Sequence, residues 1–387
     1  MKIEQKKWTK TDGWELYADP QGTGSSLSGE SVQLALVFGA TSILKEQERL
    51  DKIEQDYPNA HILGCSTAGE ICGAQVFDDS LIVTAIQFEY TQVKGTQVKL
   101  DQVADSYQAG EQLASALDKD ELVHVFVLSD GNKVNGSELV KGLIDHLPQG
   151  VTVTGGLAGD GTRFEQTLVF LDSAPEEERI AVLGFYGTRL KVGYGSMGGW
   201  DPFGPSRLIT RSEGNVLYEL DGQSALELYK RYLGEHAADL PASALLFPLQ
   251  LRFPHQWDKD GVVRTIVSVD ENEGSMTFVG NVPEGIHARF MKANFERLID
   301  GAIEAANTSY KALFSSSPDL AILISCVGRK LVLKQRTEEE VEEVHDVLGK
   351  RTVLTGFYSY GEIAPFVPSA KCELHNQTMT ITAFSEE

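Results

Sequence analysis

Three short turns in this sequence set glycines beside an acid. Gly64-Cys-Ser-Thr-Ala-Gly-Glu-Ile71 and Gly356-Phe-Tyr-Ser-Tyr-Gly-Glu-Ile363 both read G-x4-G-E-I, and Gly155-Gly-Leu-Ala-Gly-Asp160 is one residue shorter and ends on aspartate. Glycine permits unusual backbone angles and close approach, and successive N–H groups in such a turn can cradle an anion. On that reading Gly69, Gly159, Tyr360 and Gly361, with Cys326 and Arg329, line a ligand site. Glu70, Asp160 and Glu362 then point into it, where carboxylates of divergent pKa do acid–base work. The alternative is structural: the glycines let strands pack closely, and each acid satisfies N–H groups of its own turn. No Lys and Ser/Thr complete a G-x4-G-K-[ST] phosphate loop, and no G-x-G-x-x-G opens a helix.

Cysteine chemistry is a second possibility. Cys326 ends an apolar run and precedes Val-Gly-Arg329, whose cation would favour a thiolate. Cys65 lies in the first glycine turn. A cysteine hydrolase acting on acyl or amide bonds also needs a base and an orienting partner. Nothing in the sequence places them, so small buried residues closing a strand is the competing reading. Trp200-Asp-Pro-Phe203 sets two aromatics and a proline on one loop, which would either cap an apolar pocket or plug a domain seam.

The elements that carry these groups repeat. Copy one runs from the strand-like Leu34–Phe38 through a helix near 45–55, His61–Leu63 and the first turn to Ser80–Phe88. Copy two runs from His124–Leu128 through a helix near 136–147, Val151–Thr154 and the second turn to Ile180–Tyr186. Copy three runs from Leu320–Ile324 through a helix near 338–348, Thr352–Leu354 and the third turn to Gln377–Phe384. Each copy is strand, helix, strand, glycine turn, strand. Short turns between strands favour antiparallel pairing, so we expect an α/β (α+β) architecture of layered, mostly antiparallel sheets packed with helices. Residues 1–30 read as a mobile or edge-lying lead-in, and a boundary near Asp221 divides domains at 31–221 and 222–387. Leu245–Phe253 and Val262–Val269 read as strands joined by a turn at Asp258–Gly261.

Composition narrows the partners. The 387 residues suit two or three domains. Lys plus Arg number 34 and Asp plus Glu 56, so the net charge is 34 − 56 = −22. With no basic cluster, that excludes nucleic acid and polybasic membrane attachment. No apolar run reaches the roughly 18 residues of a membrane span, and the start lacks a secretory signal's apolar core. Four cysteines without a C-x-x-C pair fit a reduced cytoplasm.

The turns, together with Leu220-Asp-Gly-Gln-Ser-Ala225, Val263-Arg-Thr-Ile266 and Ser325-Cys-Val-Gly-Arg329, resemble the FIST family with its FIST N and FIST C domains. The resemblance spans about Leu34 to Phe384. Gly198-Gly-Trp-Asp-Pro-Phe-Gly204 and Met291-Lys-Ala-Asn-Phe-Glu-Arg-Leu-Ile-Asp-Gly-Ala302 look like its bacterial nitric-oxide-sensing branch, NosP. That resemblance implies a cytoplasmic sensor of a small or gaseous ligand. It would bind haem and act on a histidine kinase or a cyclic-di-GMP enzyme; a FIST sensor of a non-haem ligand such as an amino acid is the alternative.

Haem iron needs an axial His, Cys, Tyr or Met. His255, in the aromatic stretch Arg252-Phe-Pro-His-Gln-Trp257, and His287 are the candidate iron ligands. Arg289 would pair with a propionate, and Trp200 and Phe203 would face the macrocycle. Without His-x-x-x-His or a Cys/His cluster, a structural zinc site is not expected.

Overall fold

The computed structural model describes residues 1–18, 27–252, 261–313, 317–366 and 371–387. His255 and most of the turn expected at Asp258–Gly261 lie outside them.

Each copy builds the centre of one six-stranded sheet. The opening strands are Leu34–Gly39, Leu122–Ser129 and Leu320–Cys326. Each runs parallel to the strand after its helix: His61–Ser66, Thr152–Leu157 and Val353–Ser359 respectively. Each also pairs antiparallel with the closing strand of its copy: Ser80–Gln87, Arg179–Tyr186 and Met379–Glu386. The opening strands read as continuous apolar runs because both faces are covered. Leu34, Leu36, Phe38, Phe126, Leu128, Ile322 and Ile324 face one central core shared by the three sheets. The intervening residues, such as Val37, Val127 and Leu323, face outward into other clusters. Helices cover those outer faces: Gln47–Asp56 through Leu50 and Ile53, Gly136–His146 through Leu139 and Leu143, and Thr337–Leu348 through Val341 and Val344.

The sheets exchange strands in a cycle. Glu70–Cys72, just after the first turn, pairs with Val353–Ser359 of copy three. Val169–Leu171, after the second turn, pairs with His61–Ser66 of copy one. Gly361–Pro365, after the third turn, pairs with Thr152–Leu157 of copy two. Every glycine turn is therefore the point where a chain leaves its own sheet for a neighbour's.

The glycine opening each turn is needed for close approach. In register, Gly64 sits opposite Val37, Gly155 opposite Val127 and Gly356 opposite Leu323. A Cβ added at these glycines would meet the carbonyl oxygen of the facing residue at 2.4, 1.9 and 1.8 Å. No side chain fits there without moving backbone.

Asp201–Lys292 forms a second body, an antiparallel sheet with its own apolar cluster that includes Leu226 and Tyr229 of the helix Ala225–Leu233. Its longest strand, Asp201–Glu213, breaks register against His287–Lys292 between Phe203 and Arg207, where Pro205 donates no N–H to the ladder.

Of the mobile or edge-lying lead-in expected for residues 1–30, the described part is edge-lying: Lys2–Thr9 and Gly13–Ala18 form two strands at an edge of the first sheet. Asp221 stands at a hairpin tip, with Leu220 paired to Gln223. The expected strand Leu245–Phe253 begins only after Pro248, at Leu249–Arg252, because Ala242–Leu246 coils as a 3-10 turn.

We expect Gly155→Ala or Gly356→Ala to lower unfolding free energy by roughly 3 kcal/mol or more. Gly198→Ala, whose added Cβ meets nothing nearer than 3.6 Å, should change it by less than about 1 kcal/mol. Urea denaturation of the three variants checks both figures.

Candidate functional site

The three glycine turns meet and interlock. Ala68 N donates to Tyr358 O and Tyr358 N to Gly69 O, both at 2.8 Å; Gly159 N donates to Ser66 O at 2.9 Å and Tyr360 N to Leu157 O at 3.2 Å. Gly69, Gly159, Tyr360 and Gly361 are all buried. The junction is packed backbone and not an open anion cradle.

The acids are consumed within it. Glu70 accepts from the Thr67 hydroxyl, from Ser80 N at 3.1 Å and from Ser80 Oγ at 2.7 Å. Glu362 repeats this with Ser359 Oγ at 2.6 Å, Thr378 N at 3.1 Å and Thr378 Oγ1 at 3.0 Å. Each carboxylate thus ties its turn to the start of its copy's closing strand, so the structural reading of these two acids prevails. Burial pushes the Glu70 carboxyl up to about 7 and the Glu362 carboxyl up to about 8, only partly offset by those donors.

Cys326 and Arg329 do not form a nucleophile. Both are buried, and burial, then Glu362, push the Cys326 thiol up. Cys65 is raised in the same way, by burial and then Glu70. Arg329 is spent elsewhere: Nη2 donates to Glu340 Oε2 at 2.7 Å and Leu298 O at 2.7 Å, and Nη1 to Gly198 O at 2.6 Å. Glu340 also accepts from Ser325 Oγ and Tyr358 Oη, which closes the network.

The residues chosen for haem do not converge. Along His287–Lys292, Ala288 and Phe290 face the inserted sheet's own core, which leaves His287 and Arg289 on the opposite face. Phe203 pairs in register with Phe290 and packs near Tyr232 and Phe247, on the core side. Arg289 Nε donates to Gly204 O at 3.1 Å. Trp200 is buried with Met291, Leu298 and Val332 and donates Nε1–H to Gln377 O at 2.9 Å, so it plugs a seam. A pocket of about 470 Å³, its open mouth included, lies beside it and is lined by Met197, Met291, Arg297, Phe366 and His375, but by neither His287 nor Arg289. His375 donates Nε2–H to Ala364 O at 2.9 Å, and burial holds its pKa down at about 4. His287, Arg289, Trp200 and Phe203 therefore do not fit haem as one set. Among the described residues, no three His, Cys, Asp or Glu side chains come together for a metal ion.

A larger cleft opens where the repeated core meets the inserted sheet. Its volume is about 1140 Å³, including the open mouth. It lies at the carboxyl ends of the parallel strands Leu122–Ser129 and Thr152–Leu157, where open α/β sheets commonly bind ligands. The loop after the first supplies Asn132, Lys133 and Val134; the segment after the second turn supplies Phe164 and Glu165; the inserted sheet supplies Asn215, Val267 and Thr277. Asp130 fixes the first loop by accepting from Asn132 N and Lys133 N, each at 2.8 Å, and from Glu178 N at 3.0 Å.

Phe164 is the unusual wall. Its φ is +55°, a conformation that bulky residues rarely hold. Asp160 enforces it by accepting from Phe164 N at 2.9 Å, Glu165 N at 3.0 Å and Gln166 N at 2.9 Å. Tyr360 Oη bonds the same carboxylate, and its ring stacks on Phe164 with centroids 4.3 Å apart. The second turn's aspartate and Tyr360 therefore act on a neighbouring side chain and do not line the cleft. Strain held in this way clusters at binding sites.

Arg264 and Thr265 staple the seam. Arg264 is buried; Nη1 donates to Leu374 O at 2.8 Å, Nε to Asn281 O at 3.2 Å and Nη2 to Ser137 Oγ at 3.3 Å. Thr265 N donates to Asn376 Oδ1 at 3.2 Å, and Gln377 Nε2 donates to Thr265 Oγ1 at 3.1 Å. Sequence reasoning missed Phe164, Lys133 and Arg264. The available signals were the shortened second turn and the Val263-Arg-Thr-Ile266 motif.

A FIST N domain model matches residues 33–223 and a FIST C domain model residues 225–365, so the chain belongs to the FIST family, whose domains are sensor domains of signal transduction. Those two matches meet beside Asp221, where the sequence placed a boundary. A Methanocaldococcus jannaschii protein named only as uncharacterized is 26% identical over 364 residues, which cover 88% of this chain and 68% of that protein. Among solved structures, a chorismatase is 10% identical with a TM-score of 0.32, covering 99% of this chain and 98% of its own. A cyanuric acid hydrolase from A. caulinodans is 10% identical with a TM-score of 0.18, covering 77% and 99%. No helix among the described residues is long and apolar enough to cross a membrane.

The buried glutamates predict a pH dependence. A carboxyl whose folded pKa is raised contributes stability below its unfolded value near 4.5, and that stability is lost as pH rises through about 7 and about 8. Between about pH 5 and pH 8.5, Glu362→Gln should remove on the order of 3 kcal/mol of the wild-type fall in stability. Urea denaturation at both pH values checks this; an equal fall in wild type and variant would contradict it.

Proposed function

We propose that this protein is a small-molecule sensor whose ligand binds in the Phe164 cleft, between the repeated core and the inserted sheet. The observation that carries the proposal is Phe164 itself, held at positive φ by Asp160 and Tyr360 on the wall of that cleft. A ligand touching both bodies favours their docked arrangement by mass action. The seam that responds is stapled by a few side-chain hydrogen bonds through Arg264 and Thr265, which a ligand bridging both bodies can bias. A partner protein would read that change. The family resemblance makes a histidine kinase or a cyclic-di-GMP enzyme the candidate reader.

This is the non-haem form of the sensor. It is favoured because Phe203 lies on the opposite face of its sheet from His287 and Arg289 and Trp200 is packed into a seam, while the cleft is roomy and polar at its rim.

A thermal-shift screen of small metabolites against the full chain and Phe164→Gly tests the proposal. A ligand at about 100 times its Kd adds about 2.7 kcal/mol to the folded state, and the variant should lose most of the resulting shift. Ligands that shift both proteins equally would contradict the cleft. Expression with haem supplied that yields a Soret band moving under nitric oxide, with no Phe164-dependent ligand, would establish the haem sensor instead.

A further inference from the structure

The chemistry of the cleft narrows its ligand. Among the described residues, the Lys133 ammonium, the Glu165 carboxylate and the Asn132 amide line the cleft without a hydrogen-bond or ion-pair partner. Asn135 and Asn215 also line it but are engaged: Asn135 Nδ2 donates to Asn281 Oδ1 at 2.8 Å and Asn215 Nδ2 to Phe278 O at 2.7 Å. The free groups are thus one cation, one anion, one amide and the Thr277 hydroxyl, with no net charge. Phe164 is braced by Tyr360, an arrangement that presents a flat wall instead of a mobile side chain.

We infer that the ligand is a planar, uncharged heterocycle whose edge carries both donors and acceptors, the class to which nucleobases belong. This rests on the reading of the cleft as the sensory site. Phe164 supplies the stacking platform, and base–aromatic stacking tolerates any ring with a π-face. Glu165 accepts from ring N–H or amino groups, Lys133 donates to a carbonyl or ring nitrogen, and Asn132 can do both at once. A nucleic-acid polymer is excluded by the chain's charge of −22 and by the single free lysine here. A free base or nucleoside brings no phosphate and meets no such barrier. A zwitterion would also match the charges, but its charges would sit at an open, screened rim and gain little there.

Guanosine, adenosine and L-tryptophan serve as probes, titrated into the full chain by calorimetry. Guanosine presents an N–H edge to a carboxylate and a carbonyl to a lysine. It should bind at one site, and Glu165→Gln should weaken it about tenfold while changing adenosine little. Lys133→Met should weaken guanosine to a similar degree. Phe164→Gly should weaken both nucleosides about tenfold or more, without loss of cooperative unfolding, because glycine accepts the positive φ.

Nucleoside binding that ignores all three substitutions would overturn the inference, as would tryptophan binding in preference to both nucleosides. If neither nucleoside binds while Phe164-dependent ligands emerge from the thermal-shift screen, only the ligand class is wrong. If nothing binds in a Phe164-dependent way, the sensory reading of the cleft fails with it.

Discussion

Three glycines crossing three carbonyls is the constraint on which this fold rests. Where Gly64, Gly155 and Gly356 pass Val37, Val127 and Leu323, a methyl group would fall within 2.4 Å of a backbone oxygen. The parallel strands must touch there, because the chain then leaves its own sheet and completes another. No sheet is finished until all three turns have formed. Local pairing therefore contributes less than its length suggests, and the core gains stability as a whole. The buried glutamates at two of the turns reinforce this, since each ties a crossing chain to its copy's closing strand.

The inserted sheet is a different kind of body. Its main apolar cluster is its own, and polar side chains cross the seam to the core (Arg264, Thr265, Asn281, Asn376 and Gln377) beside a smaller apolar contact through Val279 and Met291. Such an interface resembles a transient docking surface more than a divided core. The Phe164 cleft and the smaller Trp200 pocket both open along this seam. The rigid part of the molecule supplies the strained aromatic wall, and the docked part supplies the opposite side.

Much of the core was legible from continuous apolar runs and from the recurrence of strand, helix, strand and turn. What the runs could not show was that the post-turn strands cross between copies, because Glu70–Cys72 pairs with residues nearly three hundred positions away. Acids recurring at equivalent turns looked like a shared catalytic pocket, yet carboxylates with hydroxyls three residues back fill their own turns. Asp160 breaks that rule. Its turn is shorter, so its carboxylate reaches forward to the N–H groups of residues 164–166 and fixes Phe164. Of the haem residues, alternation puts His287 and Arg289 on the face opposite the one where Phe203 packs beside Phe290, a separation that no stretch of sequence displays.

Native-state hydrogen exchange on the full chain tests the interlocked core most directly. Exchange reports the free energy of opening segment by segment. The exchanged strands Glu70–Cys72, Val169–Leu171 and Gly361–Pro365 should open together with the three central strands, in one cooperative step, while amides of the inserted sheet open at lower free energy. If one copy's strands open independently while the other two stay protected, the cyclic exchange is not what holds this structure together.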